Sequence, residues 1–190
     1  MKVLKIILGL CLVLGLGLHG VAQAAMHWNK NMPMVYVPAD NEYTDLMLKA
    51  FGEWEGKFNR KIQFIKTTFY RDLRLTEIEV QFNQVGGEGA QNSGNTTVEG
   101  SSDIIRHGTI VINTKFDEEI EKDPEKKAKN TEEIYRIMLH QVGRVMGLES
   151  STNPKSVMYD KIEDGQTILD EDVQNVYALY GWAPSIRIVR

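Results

Sequence analysis

The chain has 190 residues, of which 42% are hydrophobic, and its formal net charge at pH 7 is −4. This length suits one domain with a sizeable core. The acidic balance gives no reason to expect a nucleic acid or an anionic lipid surface as a partner. The single cysteine excludes a disulfide within the chain.

The first 24 residues have the pattern of a secretory signal peptide. Two lysines within the first five residues precede an apolar run from Ile6 to Leu18, and Ala22-Gln23-Ala24 is an A-x-A cleavage pattern. The run is short for a membrane span, although an uncleaved anchor is the alternative, and no later run is long enough to span a bilayer. We therefore expect residues 1–24 to be removed and residues 25–190 to form one secreted domain, periplasmic or extracellular.

Hydrophobic periodicity predicts a mixed α/β layout for the first two thirds of the chain. Apolar residues at helical spacing predict a helix from Tyr43 to Phe58. The glycine-rich stretch from Gly86 to Gly100 predicts a long mobile loop, with a short strand near Thr96–Val98 as an option. Short apolar or alternating runs predict four strands, which are Met34–Val37, Ile62–Phe69, Ile78–Phe82 and His107–Asn113.

Two more helices are predicted in the last third. Lys115–Asn130 is dense in charge and is predicted to be a solvated excursion. A helix then begins at residue 130 or 131, where Asn130 and the glutamate three residues later make a capping-box pattern, and Gly147 ends it. A final helix runs from Asp170, as its N-cap, to Gly181. Strands with one helix, followed by a helix-loop-helix close, indicate an α+β fold.

The run H-Q-V-G-R-V-M-G-L-E-S, which begins at His140, has the spacing of a helical zinc-peptidase site. Such a site has two histidines four residues apart, so that both imidazoles face one metal, and a glutamate beside the first to take a proton from metal-bound water. In this chain Gln141 stands at the glutamate position and Arg144 at the second histidine position. Glutamine has no carboxylate to accept the proton, and a guanidinium has no lone pair to offer a metal.

This run resembles the signature H-E-x-x-H-x-x-G-x-x-H of the matrixins, a branch of the metzincin zinc endopeptidases that includes secreted bacterial members. His140 matches the first zinc ligand and Gly147 matches the turn glycine. The resemblance places Gln141 at the general base, Arg144 at the second ligand and Ser150 at the third ligand. It therefore implies a degenerate zinc site in which His140 is the only retained ligand position.

Segments on both sides of the motif extend the resemblance. Met158, in N-P-K-S-V-M-Y, is similar to the family's Met-turn, and Ile168–Trp182 is similar to its closing helix. Tyr43–Glu55 resembles the first helix of bacterial matrixin-like domains, and Ile104–Thr114 lies where they carry a cleft strand. The implied fold is that of a metzincin catalytic domain, with a twisted mixed sheet, a first helix, an active-site-type helix, a Met-turn and a closing helix.

The substitutions lead us to expect a domain that has lost zinc and catalysis and that binds an extended peptide in the old cleft, as an added strand. An active zinc endopeptidase with rearranged ligands and a purely structural or interaction domain are the alternatives. The partner is expected to be an unidentified protein or peptide. No cofactor is expected, although calcium could gather at Asp160, Glu163 and Asp164, which miss the spacing of a calcium loop.

Arg144 and Met158 also have structural interpretations. Arg144 could pair with a carboxylate such as Glu149, and we hypothesise that its charge partly replaces the metal. Met158 is predicted to pack in the core whether or not a metal is bound.

Overall fold

The computed structural model describes residues 25–69 and 75–182. The predicted signal peptide, residues 1–24, lies outside the described residues. In the described part of the chain, no helix is both long enough and apolar enough to cross a membrane. The strands are β1 (His27–Trp28), β2 (Met34–Tyr36), β3 (Ile65–Thr67), β4 (Ile78–Val85), β5 (Ser93–Ser101) and β6 (Ile104–Lys115). The helices are α1 (Thr44–Lys57), α2 (Glu118–Lys122), α3 (Pro124–Val145) and α4 (Asp170–Leu179).

The strands form one mixed sheet around β6. The order is β1-β6-β4-β2-β3, with all these pairs parallel, and β5 pairs antiparallel with β6. Parallel pairing needs crossover connections, and α1 supplies one between β2 and β3. Among the described strands β5 pairs with β6 alone, so its other edge has no strand beside it. This mixed sheet agrees with the predicted α+β fold.

The core lies between the sheet and the helices α1 and α3. Ile110 and Ile112 of β6 are fully buried, as are Trp54 of α1 and Met138 of α3. The indole Nε1 of Trp54 donates a hydrogen bond to the carbonyl oxygen of Leu139 at 2.8 Å, so its polar atom is satisfied inside the core. This contact joins α1 to α3 next to the motif.

The second half of the glycine-rich stretch is a strand, so the prediction of one long loop was wrong there, and the optional strand at Thr96–Val98 lies inside β5. β5 runs for nine residues against β6, from Ser93 opposite Asn113 to Ser101 opposite Ile104. Gly94 lets β5 approach α3 closely, because a Cβ at this position would lie 2.6 Å from Cγ of Gln141. Local composition predicts flexibility, whereas the pairing partner that orders this stretch lies elsewhere in the sequence.

The charged stretch before the motif is helical, so the predicted start of the motif helix near residue 130 was wrong. α3 begins at Pro124, and the side chain of Asp123 accepts hydrogen bonds from the next two free backbone N–H groups. Asn130 lies inside α3, is buried and accepts a hydrogen bond from the side chain of Asn92 at 2.7 Å. Caps and ion pairs such as Lys127–Glu121 stabilise these polar turns. The turns have no regular apolar stripe, so the sequence pattern did not predict a helix there.

Several predicted boundaries also change. The strand predicted at Ile62–Phe69 is only the three residues of β3, and those predicted in β4 and β6 are longer than expected. Asp170 is the first residue of α4 and not its N-cap. The N-terminus of α4 is closed by Asp172, whose Oδ2 accepts from the backbone N–H of Leu169 at 2.9 Å. Helix and strand ends fray and depend on which residue caps them, so the sequence predicts these ends less well than the elements themselves.

Candidate functional site at the end of the third helix

His140 lies near the C-terminal end of α3 and faces the loop that carries Met158. Its Nδ1 is 2.8 Å from the carbonyl oxygen of Val157, so Nδ1–H is the donor and Nε2 keeps its lone pair. Burial lowers the pKa of His140 below its ordinary value, and the positive charge of Arg144 lowers it further. The ring is therefore neutral at neutral pH. This is the tautomer that a metal-binding histidine uses, with the second nitrogen anchored to a backbone carbonyl.

Gln141 is buried under β5. Only 7% of its surface is exposed, and its Oε1 accepts a hydrogen bond from the hydroxyl of Thr96 at 2.8 Å. The sequence did not point to Thr96, because its partner is 45 residues away. The hydrogen bond fixes the amide against β5, at the position where a general base would stand.

Arg144 reaches past the C-terminal end of its own helix. Its guanidinium donates to the carbonyl oxygen of Leu148 at 2.9 Å, one of the carbonyls that follow the last helical turn. Within residues 25–69 and 75–182 no ion pair joins Arg144 to a carboxylate, so the expected pairing with Glu149 is not formed. Glu149 and Ser150 are both exposed. Arg144 is half-buried and its charge reaches His140, so it remains part of the site.

Two glycines set the backbone around the motif. Gly147 has φ +95°, a conformation that side chains other than glycine rarely adopt, and a Cβ there would lie 1.8 Å from the carbonyl oxygen of Met26. A Cβ on Gly143 would lie 2.3 Å from Sδ of Met158. Met158 is 1% exposed, which confirms its predicted core position. The sequence did not single out Gly143, since a glycine inside a helix gives no sign of what packs against it.

A comparison with protein families agrees with this arrangement. The family model Peptidase M10, matrixin, matches residues 28–181. The chain belongs to the matrixin family. The matched range includes the whole of this matrixin's α3, its glycine turn and its Met-turn, and the mostly parallel sheet with several helices fits a metzincin-like fold.

The residues that the sequence resemblance assigns to the ligand positions lack the donor groups that zinc requires. Catalytic zinc takes three protein ligands, and here one imidazole, His140, is followed by a permanent cation at Arg144 and a hydroxyl at Ser150. In the described part of the chain no group of three or more His, Cys, Asp or Glu side chains is placed to hold a metal ion. Asp164, one of the acidic residues considered for calcium, is paired with Arg136 at 2.7 Å.

A buried carboxylate joins the Met-turn of this matrixin to α4. Oδ1 of Asp172 accepts from the hydroxyl of Ser156 at 2.6 Å, and Oγ of Ser156 accepts from the backbone N–H of Met158 at 2.8 Å. Burial raises the pKa of Asp172 above its ordinary value. The sequence analysis placed Asp172 in the closing helix and assigned it no role, because its partner Ser156 lies 16 residues earlier in the chain.

Two cavities are lined in part by residues of β5. One, of about 240 Å³, lies beside His140 and Gly94, and the other, of about 230 Å³, lies beside Arg144 and Val98. A further cavity of about 670 Å³ lies between the end of α1 and α4 and is lined by no residue of the motif. Each of the two cavities is lined by residues of both β5 and the motif, so together they define the candidate site.

Proposed function

We propose that this matrixin domain is secreted, has lost zinc-dependent catalysis, and binds extended peptides along the free edge of β5. The observation that carries the proposal is Arg144 at the second ligand position. A guanidinium cannot ligate zinc, and its charge would repel a dication held by His140. Gln141 adds to this, since an amide bound to Thr96 cannot serve as a proton acceptor at neutral pH.

The free edge of β5 supports peptide binding without a metal. An unpaired strand edge presents backbone N–H and C=O groups that an added strand can satisfy. Gly94 lines one cavity and Val98 lines the other. The two residues are four positions apart in β5, which corresponds to about 14 Å along the strand. A peptide of about five residues would therefore pair with β5 and place side chains in both cavities.

Metal analysis of the purified secreted chain tests the loss of catalysis. We expect less than stoichiometric zinc after dialysis against micromolar zinc, and no chelator-sensitive cleavage of casein or gelatin. Stoichiometric zinc together with chelator-sensitive cleavage would contradict the proposal and establish the alternative of an active endopeptidase with rearranged ligands.

Restoring the family's residues tests whether the frame of the site persists. The triple variant Gln141→Glu, Arg144→His and Ser150→His should gain zinc binding, because it supplies three imidazoles at the matrixin positions. The single variant Gln141→Glu is the matched control, and it should stay free of zinc because Arg144 is still present. A folded triple variant that binds no zinc would show that these positions do not converge as a metal site.

Backbone-methylated peptides test the mode of binding. Peptides selected from a random array should bind, and N-methylation at alternate residues should abolish binding in one register and be tolerated in the other, because only alternate N–H groups face β5. Equal sensitivity in both registers would argue against an added strand. Failure of every array peptide to bind would favour the structural or interaction alternative.

A further inference from the structure

The cavity beside His140 has walls of two different chemical kinds. Ile137 of α3 and Ile162 of the loop after Met158 provide apolar surface, and Glu133 and Asp160 provide two carboxylates. Glu133 lies one turn before Ile137 on the same helix face, while Asp160 comes from the loop after Met158. The lining contains no lysine or arginine.

The two carboxylates are available for a ligand. Neither Glu133 nor Asp160 forms an ion pair with any described lysine or arginine, although Asp164 nearby is paired with Arg136. The lining of the cavity therefore carries two carboxylate side chains and no lysine or arginine to offset their formal charge.

The size and position of the cavity suit one long side chain. Its volume of about 240 Å³ corresponds to roughly eight water molecules. Gly94, at the start of β5, lies in its wall, so a strand paired with β5 would pass its mouth. A long basic side chain buries its methylene stem against apolar surface and keeps its charged head among polar groups.

From this geometry we infer that the cavity between Glu133 and Asp160 selects a peptide with an arginine or lysine side chain at the residue that pairs beside Gly94. The inference rests on the proposed peptide binding along β5 and names the class of peptide that this edge accepts. The isoleucines contact the stem of the basic side chain, and the carboxylates accept charge-assisted hydrogen bonds from its head. An uncharged side chain of the same shape would fill the cavity without forming these charge-assisted bonds.

The test uses fluorescein-labelled decapeptides of alanine and serine that carry one variable residue at each position in turn. Binding to the secreted chain is measured by fluorescence anisotropy. At one position, arginine should give an affinity about tenfold or more above that of citrulline, which keeps the shape and removes the charge. Leucine and glutamate at that position should bind no better than citrulline.

Variants of the cavity locate the effect. Glu133→Gln and Asp160→Asn should each reduce the preference for arginine over citrulline several-fold, and Glu133→Lys should favour glutamate at the same position. Glu163→Gln is the matched control, because Glu163 is exposed and lies outside the lining of the cavity. The citrulline comparison on the unaltered chain tests the inference even if a variant fails to fold.

The outcomes separate the two proposals. Peptide binding that shows equal affinity for arginine, citrulline and leucine at every position would overturn the basic selectivity and leave the added strand in place. A complete absence of binding by this series and by array peptides would overturn the proposed function itself. A preference for arginine that Glu133→Gln and Asp160→Asn leave unchanged would also overturn the assignment to this cavity.

Discussion

Replacing Gly143 with alanine tests how closely α3 packs on the Met-turn. The new Cβ would lie 2.3 Å from Sδ of Met158 and 3.0 Å from Cζ2 of Trp54. Met158 is buried and the Trp54 indole is held by its hydrogen bond to α3, so neither neighbour has free space to withdraw into. Overpacking of this kind costs about 2–3 kcal/mol. The higher helix propensity of alanine returns about 1 kcal/mol, which leaves a net loss of about 1–2 kcal/mol.

Urea unfolding followed by circular dichroism measures this loss, and for a domain of this size it corresponds to a fall in Tm of roughly 2–8 °C. Gly52→Ala in α1 is the matched control, because a Cβ there meets nothing within 4 Å. The control should gain up to about 1 kcal/mol. Combining Gly143→Ala with Met158→Ala should cost less than the sum of the single changes, since the second removes the obstructing sulfur. A gain in Gly143→Ala equal to that of Gly52→Ala would refute the reasoning.

Three further changes probe the same region. Asp172→Ala should cost about 2–4 kcal/mol in urea unfolding, because it leaves the Ser156 hydroxyl and a backbone N–H at the start of α4 without an acceptor; a loss below 0.5 kcal/mol, roughly that of a surface substitution, would contradict this. Gly147→Ala should destabilise the chain more than Gly143→Ala, since it meets a backbone oxygen of Met26 at a positive φ, and equal stability in the two variants would be the contrary result. His140 has a folded-state pKa below 6.5, so the unfolded state binds the proton more readily and the free energy of unfolding should fall as pH drops below 6.5. His140→Gln should show a shallower fall, and identical pH profiles would rule out this contribution.

The parts of the site that the sequence predicted are those whose geometry is local. His140 and Arg144 share a helix face because they are four residues apart, and Gly147 ends the helix because it accepts a positive φ. The helix itself was predicted too short, since the turns from Pro124 are stabilised by a cap and by ion pairs and not by an apolar stripe.

The contacts that set the chemistry of the site join distant residues, and they could not be predicted. Thr96 meets Gln141 only because the glycine-rich stretch pairs with β6, and the expected partner of Arg144 was wrong because a backbone carbonyl lies within reach. In the sequence Asp172 is the last of three consecutive acidic residues, with no indication that it would be buried against Ser156.

The sequence by itself determined the family-like order of motif, turn, Met-turn and closing helix, together with the residue types at the positions that the resemblance assigns to the base and two ligands. These follow from spacing along one chain and from side-chain chemistry, which need no partner. Only the tertiary structure decided that β5 is an edge strand, that Gln141 is held beneath it, and that Glu133 and Asp160 face one cavity. Burial and long-range pairing create these features, because both depend on which residues the fold brings together and not on which are neighbours in sequence.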